Sequence, residues 1–168
     1  MSAILAMMVL PFLLALAAGW DLASYTIPNL VSLGIVAVFV VFALVSGLPG
    51  AAIGGHFAAG LVALAGGFAL FAAGWIGGGD AKLFAATALW FGFSDIMSYA
   101  VVAALFGGAL TIALLVARRV PLPATLVRRG WIARLHDSRS GVPYGVALAA
   151  GALVVLPSSQ ILHLAHLA

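Results

Sequence analysis

The chain of 168 residues is 65% apolar and 7% charged, with seven Lys and Arg, four acids and a formal charge of +3. A soluble domain carries about 25% charged residues, so these proportions exclude an ordinary water-soluble enzyme, a disordered chain and a collagen-like fibre. The absence of cysteine excludes disulfides, thiolate zinc sites and cysteine nucleophiles, and the basic residues do not form the scaffolded cluster that a nucleic-acid face requires.

A helix rising 1.5 Å per residue needs roughly 20 apolar residues to cross a bilayer. Six segments approach that length, so the sequence predicts an all-α, polytopic membrane protein with about six transmembrane helices in one integral-membrane domain, residues 1–168. The first runs from Ala3 to Trp20. Ala15-Leu16-Ala17 imitates a signal-peptidase site, but no basic residue precedes the apolar run and Asp21 follows it, so it reads as a retained span. The second runs from Leu30 to Gly47 and the third from Ala51 to Gly74. Gly54, Gly55, Gly60, Gly66 and Gly67 mark the third as an inner, tightly packed helix. A short fourth, Ala81 to Phe93, precedes a fifth from Met97 to Ala117 and a sixth from Val142 to Leu156. Residues Ser158 to Ala168 read as an interfacial helix.

Arg118, Arg119, Arg128, Arg129, Arg134 and Arg139 all fall between spans five and six. Basic residues favour cytoplasmic loops, so that connection is expected inside. Counting back by pairs of spans puts Asp21–Asn29 and Trp75–Lys82 on the same side. The Arg-rich connection, with Trp131 among its arginines, reads as an interfacial anchor on the lipid bilayer.

The four acids are Asp21, Asp80, Asp95 and Asp137. A carboxylate at the edge of a bilayer is costly and calls for a partner or a watery cavity. Asp137 beside Arg134 and Arg139 reads as a surface ion pair, and Asp95 after Ser94 as a cap for span five in a short outer connection. Asp21 and Asp80 differ, because the topology brings both to the cytoplasmic ends of their helices. Gly77, Gly78 and Gly79 before Asp80 clear space for an extended substrate, and Lys82 is placed to support the Asp80 charge. Pro28 fixes the entry to the second span, with Asn29 as its candidate cap. Two carboxyls sharing a site supply a base and an acid together, enough to activate water without a metal or a covalent nucleophile. The histidines at positions 56, 136, 163 and 166 suggest no ligand set. A proton-coupled transporter or channel using the same aspartates is the competing reading, although such sites usually lie at mid-membrane in repeated halves.

Gly77-Gly78-Gly79-Asp80, followed by Ala81-Lys82-Leu83, resembles the GxGD signature of the type IV prepilin peptidases. Asp21 with Ile27-Pro28-Asn29 resembles their first aspartate region, and Pro143-Tyr144-Gly145 a third element. The resemblance implies an intramembrane aspartic endopeptidase that removes the cytoplasmic leader from type IV, Flp-like prepilins and pseudopilins. The substrates would enter from the membrane and be cut just after a Gly. It implies Asp21 and Asp80 as the catalytic pair, with Gly77, Gly78, Gly79, Lys82, Pro28, Asn29 and Tyr144 binding substrate or supporting the site. It also implies a multi-pass protein of the bacterial inner membrane, active site toward the cytoplasm. The compact build is similar to the small peptidases of Tad/Flp pilus systems. It lacks the cysteine-containing insertion of members that also methylate pilins, so no methyl donor or other cofactor is expected. The sequence assigns no oligomeric state.

Overall fold

The computed structural model describes residues 5–167, and the side chains of residues 7–163. Residues 1–4, including the expected start of the first span at Ala3, lie outside the described residues, as does the side chain of His166. A π-helical turn, Leu5–Val9, leads into α1, Leu10–Ser24; α2 is Asn29–Val45, α3 Gly50–Ala72 and α4 Gly78–Ala117. Two short helices in the Arg-rich connection follow, α5 Ala124–Val127 and α6 Gly130–His136, then α7 Tyr144–Val155 and α8 Gln160–Leu167. The described chain is all-α. Helices from Met7 to Ser24, Gly50 to Ala72 and Gly78 to Ala117 are long and apolar enough to cross a membrane, and α2 and α7 are shorter apolar helices.

Sequence periodicity positions the first acid. Leu10, Leu14, Ala17 and Asp21 are the buried residues of α1, and their spacing of three and four puts them on one helical stripe. A stripe that starts as core therefore ends in a carboxylate. The chain then turns at Tyr25, whose left-handed backbone (φ 57°) closes α1 through a bond from its N–H to the Asp21 carbonyl.

The longest helix is a hairpin. Fifteen residues of straight helix would hold Phe84 about 22 Å from Tyr99, yet their rings stack with centroids 5.2 Å apart. The reversal occurs at Gly92, with φ 58° and ψ −170°, a backbone region almost confined to glycine. A continuous helix would offer the Leu89 carbonyl to the N–H of Phe93. Here His56 on α3 takes that carbonyl, with Nδ1 at 2.8 Å, and must carry its proton on Nδ1 to donate to it. Beside it the Trp90 indole donates to the Ile35 carbonyl at 3.1 Å, with Phe39 and Phe42 packed against its ring. In a lipid-facing fold, backbone groups freed at a break need such internal partners.

Several expectations need correction. The glycine-rich α3 is not an inner helix: Ala59, Gly60, Ala63 and Gly67 are its buried residues, while Gly54, Gly55 and Gly66 face open space. The element buried on nearly every side is the short first arm of α4, residues 78–91, because small Ala81, Ala85, Ala86 and Ala88 let its neighbours close around it. Asp95 lies within α4 and caps α8, accepting the Gln160 backbone N–H at 2.8 Å. Asp137 accepts the backbone N–H of Arg139 at 2.9 Å rather than a side-chain ion pair, which a two-residue turn makes the closest donor.

Candidate active site

Asp21, 5% exposed, reaches the end of its stripe under the first turn of α7. Its Oδ2 accepts the Gly145 backbone N–H at 2.7 Å, so a helix N-terminus, with its partial positive charge, faces the carboxyl. Glycine is required there by space. A Cβ at position 145 would lie 2.9 Å from Asp21 Oδ2 and 2.9 Å from Ile27 Cδ1.

Asp80 occupies the third position of α4, and its carboxylate turns back toward the backbone of Gly77. A Cβ on Gly77 would stand 2.9 Å from Asp80 Oδ2. Buried Ile27 wedges between the two sides, touching the positions where Gly79 and Gly145 lack side chains. The two acids, 59 positions apart in sequence, line one cavity of about 240 Å³ together with Gly77, Gly78, Gly79 and Lys82. Asp21 is near enough for its charge to act on Asp80.

The remaining expected residues divide. Lys82 borders the cavity, but its Nζ donates to Asn29 Oδ1 at 2.6 Å rather than to Asp80. Asn29 is thereby drawn away from capping α2, whose start Pro28 occupies with no side-chain cap. Tyr144 does not border this cavity. Its ring lies where Gly107 has no side chain, and its hydroxyl is 3.4 Å from Thr111 Oγ1. The neighbouring Gly145, not Tyr144, makes the contact with Asp21.

Sequence reasoning missed Tyr25, and it named Gly145 only within the Pro143-Tyr144-Gly145 element, assigning the supporting role to Tyr144. Tyr25 follows Asp21 by four positions, the helical spacing that puts two side chains on one face, and that signal was available. It lines the cavity, and its hydroxyl is shut from solvent near Arg118 without a well-formed hydrogen bond. Burial raises the Tyr25 hydroxyl above its ordinary range, with the Arg118 charge pulling the other way. Arg118 itself donates through Nε to the Leu135 carbonyl at 3.0 Å and through Nη2 to that of Gly141 at 2.9 Å. Arg134 Nη1 reaches the Ala23 carbonyl at 3.4 Å. The Arg-rich connection is thus folded against the Asp21 end of α1. Among the described residues no group of three or more His, Asp or Glu gathers to hold a metal ion.

Two carboxyls on one small polar cavity can hold a water between a base and an acid. The model of the type IV leader peptidase family matches residues 8–112, well over half of the chain. The chain belongs to that family. The matched stretch of this leader peptidase family member includes both cavity acids, the three glycines and most of the α4 hairpin, while α7 with Gly145 lies beyond it. Searches among curated proteins and among solved structures found no match.

Proposed function

We propose that this protein is an aspartic endopeptidase that hydrolyses the leader from type IV, Flp-like prepilins and pseudopilins, with Asp21 and Asp80 as its catalytic pair. The observation that carries the reading is their convergence on one cavity that the Gly77–Gly79 backbone also lines. The ionised carboxylate takes a proton from water as its oxygen attacks the scissile carbonyl carbon, and the protonated carboxyl gives its proton to the carbonyl oxygen. The tetrahedral diol then collapses, the C–N bond breaks, and the amine leaves with a proton returned by the pair. The pair acts as one titrating unit, so the two roles belong to it jointly.

Six crossings suit this reading: α1, α2, α3, the two arms of α4, and α7. The first arm spans 14 residues and rises about 21 Å, short of a bilayer's roughly 30 Å of hydrocarbon. With Gly92 toward the outer face, Asp80 is held beneath the inner membrane surface rather than on it. The arginines packed against the same end favour the cytoplasmic side of the bacterial inner membrane.

Purified membranes containing the protein are expected to cleave a prepilin that carries Gly before its scissile bond. Asp21→Asn and Asp80→Asn are each expected to lower the rate by about 10³-fold or more, the scale of losing an acid–base partner, with the protein still inserted. A variant that retains full activity overturns the pair.

A further inference from the structure

Two apolar grooves flank the first arm of α4. The larger, about 730 Å³, lies between α3, both arms of α4 and α7. The smaller, about 430 Å³, lies on the other side, between α2, α3 and the arm. They differ in how they meet the polar cavity. Asp80 borders both the larger groove and the cavity, whereas the smaller groove meets it at Lys82, where the Lys82–Asn29 bond stands between.

We propose that the larger groove seats the apolar helix of the substrate and delivers the chain just before that helix to Asp80. This rests on the leader-peptidase reading of the Asp21–Asp80 cavity. Shape supports a helix as occupant: the groove runs beside the arm from Asp80 past Phe84 to Phe93 just beyond the Gly92 turn, a helical rise of about 18 Å from Asp80 to Gly92. A lipid acyl chain is as long, but it brings no peptide bond to the carboxyl at the groove's end. Polarity supports the orientation, because the wall is apolar except for Asp80 and Tyr144, and α7 brings Tyr144 to the end where its neighbour Gly145 holds Asp21. An apolar helix preceded by a polar segment matches that layout, polar part at the carboxyl and apolar part along the wall. Gly66 leaves the wall open, since a Cβ there would meet nothing within 4 Å. A side chain at that position therefore fills the groove without disturbing the fold.

Gly66→Leu is expected to slow cleavage of a full-length prepilin by about tenfold or more, the scale of misplacing a reacting bond. Gly54→Leu on the same helix, which also meets open space but lies outside the groove, is expected to cleave at the wild-type rate. A photoreactive benzophenone side chain at Gly66 or Met97 of the Asp80→Asn protein is expected to cross-link the uncut prepilin. The same group at Leu61, in the smaller groove, is expected not to. Wild-type cleavage by Gly66→Leu, cross-linking at Leu61 in place of Gly66 and Met97, or cross-linking to lipid alone would each overturn the docking. Cross-linking at Gly66 in a protein whose wild-type form cuts nothing keeps the groove and discards the hydrolytic reading. Cleavage by the wild type with cross-links elsewhere does the reverse.

Discussion

The two ends of the short first arm of α4 both depend on glycine and use it in opposite ways. At the Gly92 end, the glycine supplies a backbone conformation, and the polar group released by the turn is taken up at once by His56. At the Asp80 end, glycines supply space, Gly77 and Gly145 to the two carboxyls and Gly78 and Gly79 to Phe71 and Ile27, and the carboxyls face a cavity. One end is closed and satisfied, which serves the fold; the other is open with polar groups available to a ligand, which on the proposed reading serves chemistry. The contrast also separates two kinds of mutational effect, loss of activity at one end and loss of stability at the other.

The sharpest way to break the contrast after the aspartates themselves is Gly145→Ala. The added methyl would sit within van der Waals overlap of Asp21 and Ile27, displacing the carboxyl from its N–H donor and from Asp80. Prepilin cleavage is expected to fall about 100-fold, the scale of a 1 Å misplacement, while thermal unfolding in detergent changes much less. Gly92→Ala tests the other end. Its backbone region is essentially closed to alanine, and the methyl would approach His56 to 3.0 Å, so a loss of about 1–3 kcal/mol of stability is expected. Cleavage per folded molecule should stay within a few-fold of wild type.

His56→Leu probes the satisfied end more gently. It leaves the Leu89 carbonyl without its side-chain donor, and the unfolding midpoint is expected to drop by an amount equivalent to about 1–2 kcal/mol. His56→Gln restores an N–H donor and is expected to recover part of that loss. Equal midpoints for the two variants would show that the ring's packing on Phe39, not the hydrogen bond, holds the turn.

The same contrast explains what could be read from the sequence. The apolar runs and the clustered arginines depend on local pattern, and they lead to an all-α membrane fold with both acids at one end. The glycine content of α3 misled, because small residues permit close packing without stating which ones are used; Gly60 and Gly67 meet the arm while Gly54 and Gly66 meet nothing. Contacts between distant positions left no trace either. Asp21 and Gly145 are 124 positions apart, and the donor is a backbone N–H, which no residue type announces. Asn29 read as a cap because caps are local, and Lys82 reached it from 53 positions away.

Tyr25 combines both roles at the Asp80 end, lining the cavity yet buried at its hydroxyl, and it yields the smallest of the expected effects. Burial holds its folded-state value above the ordinary 10.0, so near and above that value the unfolded chain gives up the proton more readily than the folded one. The associated stability is therefore complete below the ordinary tyrosine range and is lost as pH rises through the raised folded value. Tyr25→Phe removes a buried hydroxyl with no well-formed partner, so near neutral pH its unfolding midpoint is expected to equal or modestly exceed that of the wild type, by a gap that stays constant there. The two midpoints should diverge above about pH 10, with the phenylalanine variant falling less steeply. Parallel curves across that range would mean that the hydroxyl is solvated rather than buried. Tyr25→Gly then isolates the backbone, since it relieves the left-handed strain at φ 57° while giving up the ring that walls the cavity. A gain in stability accompanied by slower cleavage would assign the side chain to the site and the strain to the fold.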